Sequence, residues 1–256
     1  MQITCPSGLA GEIRKLKVKE ENLLADVKKM RSGVGLNDVL RSIWTATHDS
    51  GPYKLDDGEP PDFNKVLMGD HFYATVYMRV ASIGPEYAFK TQCTNQFCRQ
   101  PFEWELDLTK LPVQKLSDES RKIFTTDNRF EAVVPSTGTK VWFKLLLSDA
   151  QQRFNKARRE QAHRMATMAM RMQLIEVEGV DKRKLNDWID DLDTDDASAL
   201  REAFDAAGCG IETTIEVECP SCDQIFEIEL PLGGRDFFSR RKVTKAMTDG
   251  SVPSPT

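Results

Sequence analysis

Six cysteines occur in the 256-residue chain, and four of them form two close pairs. The first is Cys93-x4-Cys98 in CTNQFCRQPFEWELDL, the second Cys219-x2-Cys222 in CPSCDQIFEIELPL. In both, the second cysteine is followed by three residues and then by Phe-Glu-x-Glu-Leu-x-Leu. A short loop between two cysteines lets both thiolates point at one ion. Zinc takes four such soft ligands in a tetrahedron, and a closed structural site draws all four from protein. Cys93, Cys98, Cys219 and Cys222 are therefore the candidate ligands of one shared zinc. The pattern offers no further ligand and no open position, so the role assigned to it is structural and not catalytic. The alternative is two independent hairpins whose thiols are buried or free. Cys5 and Cys209 have no close partner and read as small buried core thiols.

The flanking segments must hold these loops. EYAFKTQC and IETTIEVEC read as entering strands, and PFEWELDL and IFEIELPL alternate apolar and polar residues as leaving strands. Each copy is thus a β-hairpin with a knuckle at its tip, and two facing knuckles make a zinc-ribbon arrangement. Such a site staples residue 93 to residue 222 and turns everything between them into an insertion.

Helical spacing of Leu23, Leu24, Val27 and Met30 predicts a helix over 18–33, and Val39, Leu40, Ile43 and Trp44 predict a second over 36–47. A longer buried helix is expected over 64–84, with Leu67, Phe72, Val76 and Val80 on its apolar face. In the insertion, Ser117 can start a short helix, and NRFEAVVP and KVWFKLLL read as a hairpin. The longest helix is expected over 149–176, with Phe154, Met165, Met168, Met172 and Ile175 as its stripe. Two more helices follow, the second ending at Gly208. The tail RRKVTKAMTDGSVPSPT is basic and then rich in Pro and Ser, and is expected to be mobile or ordered by a partner. The expected fold class is α+β, with zinc-stapled knuckles, a helical N-terminal part and a mixed α/β insertion. The expected units are 1–108 with 211–238, the insertion 109–210, and the tail 239–256.

Several other patterns carry less. Asp191, Asp193, Asp195 and Glu202 mimic a calcium loop, but Asp196 stands where the sharp turn needs Gly, and acids at a helix N-terminus explain the same residues. Arg153, Lys156, Arg158, Arg159, Arg164 and Arg171 make the long helix basic without interleaved aromatics, and the acids of 187–196 can lie opposite. His48, His71 and His163 are scattered, and no phosphate-cradling glycine loop, nucleophile elbow or His-Glu-x-x-His occurs, so no enzyme activity is expected. A net charge of −5 and the glutamates of both hairpins argue against a nucleic-acid binder. No apolar run is long enough to span a membrane, and the N-terminus has no apolar signal region, which predicts a cytosolic protein.

The opening PSGLAGEIRKLKVKEENLLAD, with its Ile-Arg-x-Leu-x-x-x-Glu, resembles the start of T-even-type phage baseplate hub and hub-assembly proteins. So do the first knuckle with its EWELDL strand and the closing CPSCDQIFEIELPLGGRDFFSR with Phe237-Phe238. The resemblance implies a non-enzymatic part of a contractile-tail baseplate hub, in the host cytoplasm during assembly or in the virion tail, with zinc as a fold staple. Its implied partners are other tail proteins: a hub, spike or tape-measure component. The long helix at 149–176 and the segment from Leu232 onward are the expected docking surfaces. The runner-up reading is a nucleic-acid-associated zinc-ribbon protein.

Overall fold

The N-terminal ribbon is organised around one buried carboxylate. Glu20 is 1% exposed and accepts hydrogen bonds from Arg14 Nη2 (2.9 Å), Ser42 Oγ (3.0 Å) and the Lys17 backbone N–H (2.8 Å). These bonds start helix α1 (Val18–Ala25) and tie it to the strand before it and to helix α2 (Val34–Ile43). They also give the Ile-Arg-x-Leu-x-x-x-Glu motif its physical content: its buried Glu is paired with its half-buried Arg.

The Arg14 hydrogen bond, above all, holds the Glu20 carboxyl down at about 2, from an ordinary value of 4.5. A carboxyl depressed on folding contributes stability that is present above its unfolded pKa and lost as pH falls through the folded one. Glu20→Gln should therefore cost about 2–3 kcal/mol at neutral pH. That difference should shrink as pH falls from 4.5 toward 2. Urea midpoints of both proteins across that range check it, and a pH-independent difference counts against the ion pair.

In this computed structural model the chain is described over residues 1–26, 30, 34–56, 58–150, 165–231 and 237–238. Strands β1 (Gln2–Thr4), β2 (Ala10–Ile13) and β3 (Trp44–Asp49) form an antiparallel sheet in the order β1-β2-β3. Gly11 is required here, because a Cβ would lie 2.4 Å from the Trp44 ring and 2.3 Å from the Ala46 carbonyl oxygen. The expected helix over 36–47 stops at Ile43, and Trp44 opens β3 instead. Trp-Thr-Ala-Thr is rich in aromatic and β-branched residues, and β2 offers it a partner strand. The first helix also ends early, at Ala25; residues 27–29 and 31–33 of its expected span lie outside the described residues.

Helix α3 (Met68–Ser82) is the hub of the fold. It is shorter than the expected 64–84 because Leu67 bridges Leu147 and Met68 N–H donates to the Leu146 carbonyl (3.0 Å). Tyr73, Ala74 and Met78 face an N-terminal cluster with Leu9, Leu40 and Phe63, while Val76 faces a second cluster with Tyr87, Phe89 and Phe237. Covered on both sides, the helix also buries Asp70, His71, Thr75 and Arg79. Asp70 is satisfied by the Ser7 backbone N–H (2.9 Å), the Ser7 hydroxyl and the Tyr53 hydroxyl (2.6 Å), as a buried carboxylate must be. Of the expected apolar face, Leu67 and Val76 are buried, and Phe72 and Val80 are partly so.

Strands β4 (Glu86–Gln92) and β5 (Pro101–Asp107) form the first long hairpin. Beyond it, strand β6 (Val113–Gln114) leads to helix α4 (Asp118–Thr126), whose first turn is capped by the Ser117 hydroxyl accepting from Ser120 N–H (3.0 Å). Strands β7 (Phe130–Val133) and β8 (Lys140–Phe143) form the expected hairpin. Helix α5 (Met165–Gln173) ends where β9 (Leu174–Val177) begins, and β9 pairs with β8. The expected continuation of that helix to residue 176 is therefore corrected: Leu-Ile-Glu-Val gains a ladder and buries Leu174 and Val177. Residues 151–164 of the expected long helix, with Phe154, His163 and five of its basic residues, lie outside the described residues. The stripe is also displaced: Met170 is buried, whereas Met168, Met172 and Ile175 are half-buried.

Helices α6 (Leu185–Asp190) and α7 (Thr194–Ala207) pack with β7, β8 and β9 in a third cluster, in which Phe143 stacks on both Phe130 (5.4 Å) and Phe204 (4.2 Å). Strand β10 (Gly210–Ile211) pairs with β6, so the segment between them leaves and returns at one two-residue ladder. The turn before it presses on α3 so closely that a Cβ on Gly69 would lie 1.8 Å from the Cys209 carbonyl oxygen. Strands β11 (Thr214–Glu218) and β12 (Ile225–Glu229) form the second long hairpin. The fold is α+β: seven helices and twelve strands, in small antiparallel sheets, among the described residues.

Candidate metal centre

The two hairpins repeat each other in backbone as well as in sequence. In the first, Cys93 N–H donates to the Gln100 carbonyl (3.0 Å); in the second, Cys219 N–H donates to the Gln224 carbonyl (3.0 Å). In each, the residue after the second cysteine is left-handed, Arg99 at φ 48° and Asp223 at φ 55°. Both loops thus turn tightly enough to aim two sulfurs inward.

The two extra residues of the first loop are absorbed by Asn95. Its side-chain oxygen accepts from Phe97 N–H (2.9 Å), its carbonyl accepts from Cys98 and Arg99 N–H (3.1 Å each), and its own N–H donates to Cys93 Sγ (3.4 Å). Asn95 is a residue that reading the cysteine spacing alone misses. Its signal was available, because Asn two residues into a tight loop favours such side-chain turns.

Alternation along each strand then brings the tips together. Tyr87, Phe89, Trp104 and Leu106 share one face of the first hairpin, Ile215 and Ile228 the matching face of the second, and all pack in one cluster. Phe102 and Phe226, nearer the tips, meet edge-to-face at 6.3 Å. The opposite faces carry the glutamates, including the directly opposed Glu216 and Glu227.

At the tips the four sulfurs lie within 4.8 Å of one another. Cys93 Sγ is 3.6 Å from Cys222 Sγ, and Cys98 Sγ is 3.8 Å from Cys219 Sγ, so each close pair joins one knuckle to the other. Tetrahedral zinc with Zn–S bonds of about 2.3 Å sets its sulfurs about 3.8 Å apart. The donor set therefore fits such an ion in type, number and spacing. None of the cysteines forms a disulfide. Cys93 and Cys219 are buried, Cys98 and Cys222 half-buried. Desolvation, above all, pushes the Cys93 thiol up to about 12, while the Ser221 backbone N–H leads in drawing Cys219 down to about 7. Thiols this close resist ionising together without a cation among them. The structure thus places the four cysteines as a cluster able to hold a metal.

The remaining sequence candidates are not drawn in. Cys5 sits in the N-terminal cluster and Cys209 against the cluster around Phe143, and burial pushes both thiols up. Asp193 precedes α7, and Asp195 and Asp196 lie in its first turn. Asp196 is buried and accepts from Ser136 N–H (3.1 Å) and Ser136 Oγ (2.5 Å), which gives that acid a structural task in place of calcium. His71 bonds Asn37 (2.6 Å) inside the core, and burial lowers it to about 4. His48 approaches Glu12 at the surface (3.3 Å).

The segment after the second knuckle also differs from expectation. Phe237 is fully buried, its ring edge-on to Tyr87 (5.3 Å), and its carbonyl accepts from Arg79 Nε (2.9 Å). Tyr87 in turn donates to the Pro231 carbonyl (2.8 Å). This part of the expected docking segment completes the core instead. No local signal marks Arg79 for this role, since its partner lies 158 residues away.

No significant match was found among curated proteins or among solved structures. A family model described as T4 bacteriophage base plate protein matches residues 2–239, which takes in the Arg14–Glu20 pair, both knuckles and the Phe237 anchor, and the chain belongs to that family.

Proposed function

We propose that this baseplate-family protein is a non-catalytic structural or assembly component of the contractile-tail hub, its fold stapled by one zinc on Cys93, Cys98, Cys219 and Cys222. The observation that carries the staple is the interlocked four-sulfur cluster, whose pairs span 129 and 121 residues of chain. Zinc there supplies no reaction. It ties together the hairpin tips, which reach beyond the apolar cluster the two hairpins share. In this reading residues 1–108 and 211–238 are the stapled body, 109–210 an insertion, and 239–256 a docking tail for other tail proteins. Assembly in the host cytoplasm would precede a place in the virion baseplate. The nucleic-acid reading loses ground because the exposed hairpin faces are lined by Glu216, Glu218, Glu227 and Glu229, which repel phosphate.

Deleting residues 239–256 should leave a folded monomer that supports particle assembly poorly, with Arg240, Arg241, Lys242 and Lys245 preferring an acidic surface. Complementation with the truncated chain tests this, and normal particle yield removes the tail from the account. Mass spectrometry of purified particles tests the hub role. A chain found neither in mature baseplates nor in hub-assembly intermediates overturns it.

A further inference from the structure

A cleft of about 290 Å³ opens where helix α5, strand β9 and helix α6 meet. Leu174, Leu185 and Ile189 give it an apolar side, and Lys144, Arg171 and Lys182 border it from three separate segments. The charge is uneven. On the same small sheet Arg129 pairs with Glu176 (2.6 Å) and Lys140 with Glu131 (2.8 Å). At the cleft Arg171 is held by Asp190 and by Thr167 Oγ1, which fixes its guanidinium in place. Lys144 and Lys182 show no ion pair among the described residues. Among the described residues three cations and no acid line this concavity, with Asp190 pairing to Arg171 from outside the lining, which leaves a local positive excess in a chain whose net charge is −5. An anionic group entering the cleft would relieve it.

We propose that this cleft receives an acidic–aliphatic peptide segment of a neighbouring protein, its carboxylate set between Lys144 and Lys182 and its aliphatic side chain against Leu174, Leu185 and Ile189. The volume suits one or two side chains and lies at the small end of ligand sites. Among the described residues no aromatic ring lines it to stack a base, which favours peptide over nucleic acid. That the partner is a protein rests on baseplate-family membership; the hub assignment is not needed.

The test is a titration of the full-length, methyl-labelled protein, read at the Leu174, Leu185 and Ile189 methyls. The probe is a peptide alternating glutamate and leucine, with its glutamine–leucine analogue as control. The acidic peptide should shift these methyls and bind about 10-fold more tightly than the analogue. Lys144→Glu with Lys182→Glu should abolish that difference while the melting curve stays in place. If the reversed charges unfold the chain, the Lys144→Gln, Lys182→Gln double variant reads the same difference. Equal binding of both peptides, or shifts confined to other methyls, overturns the proposal. So does inorganic phosphate or single-stranded DNA acting on these methyls at lower concentration than the acidic peptide. Failure of the hub reading appears in particle composition and leaves this titration unchanged.

Discussion

Cys222→Ser should lower the melting temperature by roughly 10 °C or more and leave purified protein with well under one zinc per chain. The magnitude follows from what the site has to hold. Each hairpin is two-stranded, and near the tips the aromatic contact between them is the edge-to-face pair of Phe102 with Phe226. Such a ring pair is worth about 1 kcal/mol beyond its buried area. A four-thiolate zinc site contributes about 10–16 kcal/mol in small peptides, and that binding energy is folding energy. Losing one ligand should thus remove several kcal/mol, and each kcal/mol is worth roughly 2–4 °C in a chain this long. Wild-type protein stripped with a strong chelator should melt like the variant, whereas Cys5→Ser should bind zinc normally. Overlapping melts of wild type and Cys222→Ser, with zinc retained in both, would defeat the staple. Elemental analysis of wild type showing no zinc would do the same.

Phe237→Ala should cost about 3–5 kcal/mol, the range for emptying a buried aromatic site. Phe237 is among the largest fully buried side chains and touches both Tyr87 and Phe238. The Arg79 hydrogen bond goes to its backbone carbonyl, so the variant keeps that acceptor and isolates the loss of the ring. Phe238 is only half-buried, and Phe238→Ala should cost clearly less. Urea midpoints of the two variants separate a core anchor from a docking residue. Equal and mild effects would return the segment after Leu232 to the docking surface.

The four-cysteine cluster is legible in the sequence because its code is local. A knuckle needs two cysteines within a few residues and strands that alternate on either side, and both copies carry those features within one short stretch. The same locality made the Ser117 cap, the β7–β8 hairpin and the α+β class readable, since caps, turns and period-two alternation act over a few residues. Where two local codes overlap, locality fails. Ile43-Trp44 and Gln173-Leu174 each sit at the end of a good helix and the start of a good strand. The partner strand, β2 in one case and β8 in the other, settled the boundary by supplying hydrogen bonds and burial that the segment does not carry within itself. Separation along the chain hid the rest. Arg14 with Glu20 is near enough to be guessed, but Asp70 with Ser7 and Arg79 with Phe237 join residues 63 and 158 apart. Lys144, Arg171 and Lys182 at the cleft come from separate segments and read as ordinary surface charges until folding gathers them. Spacing alone can name the members of a cysteine cluster, whereas long-range polar pairs, anchors and clefts exist only once distant segments share a small volume.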